Sequence, residues 1–76
     1  MEKETFINHI ANQFDETDIS EFNSDTIFRN LEEWSSLTRL AIVNMIEKKY
    51  DVKINADDMH SVKTIGELYT LVNLKH

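Results

Sequence analysis

Ser35-Ser36-Leu37-Thr38-Arg39-Leu40-Ala41-Ile42-Val43-Asn44-Met45-Ile46-Glu47-Lys48-Lys49-Tyr50 runs without a glycine or a proline. Its apolar positions Leu37, Leu40, Ala41, Val43, Ile46 and Tyr50 fall largely at three- and four-residue spacing. That pattern predicts an amphipathic helix of roughly four turns over residues 36–50. A serine pair stands at its mouth. A hydroxyl there lies among backbone N–H groups that no preceding turn satisfies, so it suits either capping the helix or carrying a phosphate ester.

Toward the N-terminus, Phe6, Ile7, Ile10, Ala11 and Phe14 recur at helical spacing and predict a first helix over residues 3–14. Residues 15–34 are polar and turn-rich, yet Ile19, Phe22, Ile27, Phe28 and Leu31 punctuate them, so the segment is expected to lie on the core, with a short helical turn after Asp25. Toward the C-terminus, residues 51–55 read as an extended connector, since a lone strand would have no partner. A brief helix is expected to open at Asn55 or Ala56, with Asp57 and Asp58 in its first turn and Met59 and Val62 facing inward. Thr64-Ile65-Gly66-Glu67 has capping-box spacing and starts a last helix over residues 65–74, with Gly66 in its first turn where a close backbone approach becomes possible. The fold class is therefore all-α, a small bundle of three longer helices plus one short helix, with residues 1–76 as a single domain.

A chain of 76 residues buries only about 60% of its extended surface, which leaves little interior for a deep active site and disfavours an enzyme. There is no cysteine, so no disulfide, thiol nucleophile or thiolate metal site. The net charge of −6 opposes nucleic acid and anionic lipid. The acidity is concentrated, because residues 1–33 hold nine acids against Lys3 and Arg29, while residues 34–76 hold five acids against six bases. Met1-Glu2-Lys3-Glu4 is too acidic for a targeting segment, and the longest aliphatic run, Leu40 to Val43, is far too short to enter a membrane. A soluble, cytoplasmic monomer is expected.

Three stretches carry a family resemblance: Leu31-Glu32-Glu33-Trp34-Ser35-Ser36-Leu37-Thr38-Arg39-Leu40, then Ile46-Glu47-Lys48-Lys49-Tyr50-Asp51-Val52-Lys53-Ile54, then Val62-Lys63-Thr64-Ile65-Gly66-Glu67-Leu68. Together they resemble acyl carrier proteins and the related peptidyl carriers, over nearly the whole chain. The resemblance implies that Ser36, followed by Leu37, receives 4′-phosphopantetheine from coenzyme A through a phosphopantetheinyl transferase, and that the carrier then serves acyl- or aminoacyl-loading and acyl-transferring enzymes. It also implies that the second helix, the adjoining loop and the short third helix dock partners. Ser35 stands where the family usually has aspartate, and residues 36–50 carry Arg39, Lys48 and Lys49 against Glu47, where family docking helices are acidic.

The remaining candidates each have two readings. Trp34 is a docking anchor or a core plug beside the helix start. Leu37, Arg39, Lys48 and Lys49 meet a partner, or the charges are a solvated face. Phe28, Ile46, Ile54, Met59, Val62 and Ile65 line an acyl pocket or are plain core. His9, His60 and His76 show no metal-ligand spacing and are expected to be solvated; no metal and no hydrolytic triad is expected. The rival to a modified carrier is an unmodified docking or regulatory module of the same fold.

Overall fold

The computed structural model describes residues 2–76; Met1, part of the acidic opening noted above, lies outside the described residues. Helix α1 spans Lys3–Ala11, α2 Ser36–Tyr50, α3 Ala56–Ser61 and α4 Ile65–Lys75, with single 3₁₀ turns at Ile19–Glu21 and Phe28–Asn30 between α1 and α2. This is the predicted arrangement of three longer helices and one short one. Among the described residues there is no strand, and residues 51–55 connect α2 to α3, with Asp51 in the left-handed region at the end of α2, so the expected extended connector does not begin at its first residue.

Phe6, Ile10 and Ala11 of α1, Ile42, Met45 and Ile46 of α2, Met59 of α3, and Ile65, Leu68 and Val72 of α4 are buried together, joined by Phe14, Phe22, Phe28, Val52, Ile54 and Val62 from the connections. Aromatic edges knit the bundle, with Phe6 at 5.6 Å from Tyr50 and 5.5 Å from Tyr69 between ring centroids. Helix α1 ends three residues earlier than its apolar spacing predicts. Gln13 and Phe14 donate to Ile10 and Ala11, so the chain tightens into a 3₁₀-like turn that still delivers Phe14 to Phe22, 5.0 Å away.

The face of α2 also differs from expectation. Leu37 and Leu40 are 80% and 51% exposed, and the helix turns Ile42, Met45 and Ile46 inward, with Val43 and Tyr50 partly buried beside them. Both sets satisfy helical spacing, and the choice falls to the set that meets the other helices. Ile19 and Ile27, expected on the core, are exposed, whereas Phe22 and Phe28 are buried. His9, expected to be solvated, is half-buried, with Nδ1 2.6 Å from the Tyr50 hydroxyl, and joins α1 to the end of α2.

The long connection is fastened to α4. The Ile65 N–H donates to the Thr26 carbonyl at 3.0 Å and the Gly66 N–H to the Ser24 carbonyl at 2.9 Å, and Ile27 forms an isolated antiparallel bridge with Thr64. A Cβ on Gly66 would stand 2.9 Å from that Ser24 carbonyl, so only glycine admits this clasp without a shift.

Candidate functional site

Leu31 to Ser35 deliver the chain to α2 as a turn, with the Trp34 N–H donating to the Leu31 carbonyl at 3.0 Å. Trp34 is half-buried against Phe28, 5.1 Å between ring centroids, and so fixes the entry from the core side. Ser35 then adopts extended backbone, and its hydroxyl oxygen accepts from the Thr38 N–H at 3.2 Å. Its Oγ also lies 3.2 Å from the Thr38 hydroxyl, whose own proton goes to the Glu33 carbonyl at 3.1 Å. The two serines are thereby assigned different work: Ser35 caps, and Ser36 is the first residue inside the helix, exposed, with no hydrogen bond from its hydroxyl to any described residue.

The first turn of α2 contains no acidic side chain. Its unsatisfied N–H groups and positive dipole end therefore lack a negative partner, and this is the setting in which an anion attached nearby is favoured, by about 0.3–1 kcal/mol. Lys48 and Lys49 complement the dipole at the other end.

Glu33 holds this entry from the outside. Its Oε2 accepts from the Asp15 N–H at 2.9 Å, and its Oε1 accepts from the Glu16 N–H at 2.8 Å and the Thr17 hydroxyl at 2.6 Å. Those donors, the Thr17 hydroxyl foremost, hold the Glu33 carboxyl below its ordinary value. Glu33 was unmarked in the sequence, because an acid in Glu32-Glu33 looks like a solvated face and two of its three donors are backbone N–H groups. Arg29 was missed for the same reason: its guanidinium donates to the Met59 carbonyl at 2.8 Å and the Val62 carbonyl at 2.7 Å, tying off the C-terminal end of α3.

Arg29, Trp34, Arg39, Ala56, Met59 and His60 line a concavity of about 260 Å³ between the start of α2 and α3. Arg39 follows Ser36 by three residues, so the two are neighbours on the helix surface. Lys48 and Lys49 lie exposed beside a separate depression at the far end of α2. Among the described residues no ion pair engages Arg39, Lys48 or Lys49. Phe28, Ile46, Ile54, Met59, Val62 and Ile65 are all packed in the core, and Met59 also reaches the concavity beside α3. No group of three or more histidine, cysteine, aspartate or glutamate side chains among the described residues is arranged to hold a metal ion. No helix among them is long and apolar enough to cross a membrane.

Against this geometry, the model of the phosphopantetheine attachment site family matches residues 5–72. The match covers nearly the whole chain, which therefore belongs to that family. Neither a curated protein nor a solved structure matches it. The family is one of carriers and not of catalysts: its members bear covalently attached 4′-phosphopantetheine and meet a phosphopantetheinyl transferase and biosynthetic enzymes.

Proposed function

We propose that Ser36 is the attachment residue and that residues 1–76 act as one carrier domain, holding an acyl or aminoacyl group as a thioester and delivering it to partner enzymes. The observation that carries this reading is the division of labour between the serines. Capping is met by Ser35, so the Ser36 hydroxyl is free, exposed and set among N–H groups that favour a phosphodiester. The arm supplies the thiol that this cysteine-free chain lacks and, being flexible, raises the effective concentration of its cargo at each enzyme.

Docking falls to the outer face of α2. Leu37 and Leu40 offer apolar area beside Ser36, while Trp34, packed on Phe28, fixes the entry to the helix. Arg39 near Ser36 and Lys48 and Lys49 at the far end of α2 outnumber Glu47, which fits partners with acidic patches. The concavity beside Met59 is where the arm meets the protein. An acyl chain reaches the core among Phe28, Ile46, Ile54, Met59, Val62 and Ile65 only by parting α3 from the bundle, against the hold of Arg29 and of the Lys75–Asp58 ion pair at 3.0 Å.

Intact mass after incubation with coenzyme A, magnesium and a broad-specificity transferase tests the reading. One phosphopantetheine is expected on the wild type, mapping to Ser36, and none on a folded Ser36→Ala variant. An arm on Ser36→Ala overturns the assignment, and an unmodified wild type points to the docking or regulatory module instead.

A further inference from the structure

Glu33 is gripped at both ends. Its carboxylate is bonded by three donors of the loop after α1, Asp15 N–H, Glu16 N–H and the Thr17 hydroxyl, while its carbonyl accepts the Thr38 hydroxyl in the first turn of α2. Trp34, Ser35, Ser36 and Leu37 lie between Glu33 and Thr38. An acid on a merely solvated face has no reason to sit this way: Asp15 and Glu16 are themselves acidic, and Glu32 is adjacent, so like charges oppose its approach. The hydrogen bonds prevail, and two consecutive N–H groups plus a hydroxyl make a receptor for one carboxylate.

We propose that Glu33 is a positioning residue for arm transfer: by bridging the 15–17 loop to the first turn of α2, it sets the angle at which Ser36 is presented to the transferase. This rests on Ser36 being the attachment residue. Two supports hold the entry, the Phe28–Trp34 ring contact from the core side and Glu33 from the solvent side. With Glu33 lost, the Trp34 contact and the Ser35 cap remain, so the bundle stays folded while residues 33–36 sample other orientations. The transferase then meets the correct orientation less often, which weakens recognition and leaves the chemical step intact once the complex has formed.

The test is steady-state transfer from coenzyme A to wild type, Glu33→Ala, Thr17→Val and the double variant, with circular dichroism confirming each fold. Glu33→Ala is expected to raise KM about tenfold with kcat within about twofold, the split that marks lost binding in place of lost chemistry. Thr17→Val, which removes the hydroxyl bonded to Glu33, is expected to raise KM about threefold, and the double variant to be no worse than Glu33→Ala alone, as for two groups acting through one bond. Glu33→Gln, which keeps an acceptor oxygen, is expected to recover part of the loss. Unchanged kcat/KM in folded Glu33→Ala, or effects of Thr17→Val and Glu33→Ala that simply multiply, overturns the proposal.

Should Glu33→Ala fail to fold, Thr17→Val decides alone: the Ser36 amide and the Trp34 indole resonances move if the bridge is coupled to the entry, and their constancy refutes it. The two levels of the reading fail separately. Transfer to Ser36→Ala defeats the attachment assignment, whereas transfer to Ser36 that ignores Glu33 and Thr17 defeats only the positioning role.

Discussion

A hydroxyl and its neighbour differ here by a single helical position, and under the proposed attachment that position separates a structural role from a chemical one. Ser35 accepts the Thr38 N–H, so Ser35→Ala removes a cap and is expected to cost about 1 kcal/mol, read from urea unfolding. Ser35→Asp keeps the acceptor and brings a negative charge to a first turn that has none, adding about 0.3–1 kcal/mol at low ionic strength, a gain that salt diminishes. Ser36→Ala leaves both quantities nearly unchanged, because its hydroxyl bonds to no described residue. If Ser36→Ala proves as destabilising as Ser35→Ala, the assignment of the cap is wrong.

The clasp between residues 24–27 and the start of α4 is the element on which the long connection hangs. Gly66→Ala places a methyl group against the Ser24 backbone, where no rotamer relieves it, and is expected to destabilise by about 1–3 kcal/mol, measured as a lower midpoint in chemical unfolding. A stability unchanged within error would mean that the clasp gives way freely. The helices themselves were legible because their signals are local: the unbroken run after Ser35, the capping box Thr64 to Glu67, and Asn55 before Asp57 and Asp58. A close approach at Gly66 was legible too, as a possibility, though its partner Ser24 was not. Two things lay beyond local reading. Leu37 and Leu40 keep helical spacing as well as Ile42 and Met45 do, and only the packing of α1 and α4 chooses between them. The bonds of Glu33 and Arg29 run mostly to backbone atoms, which leave no trace in residue type.

Across the bundle, pH acts from both sides. Asp18, bonded by the Ser20 N–H, Glu33 by the Thr17 hydroxyl, Asp58 by the Asn55 N–H and Glu67 by the Lys63 N–H all titrate below their ordinary values. Each folded value lies below the unfolded one, so the stability they confer is whole above the ordinary carboxylate range and is lost as pH falls through the folded values. Tyr50 runs the other way. Burial foremost, and then the neighbouring Tyr69, raise it, so its contribution is whole below the ordinary tyrosine value and is lost as pH rises through the folded one. The melting temperature is expected to hold from about pH 5 to about pH 9 and to fall on either side. Glu67→Gln should shallow the acid arm alone. An acid arm left untouched would show that the Thr64 capping box does not titrate as argued.

The clasp also orders events in time. It joins segments about forty residues apart, so it closes late, after local helices have formed, and closing it needs the start of α4. A chain emerging from the ribosome shows Ser36 well before Gly66 exists. The segment that leads into Ser36 reaches its finished setting only after the start of α4 has been made, and a transferase that reads that setting distinguishes a carrier whose clasp has closed from one whose clasp is still open.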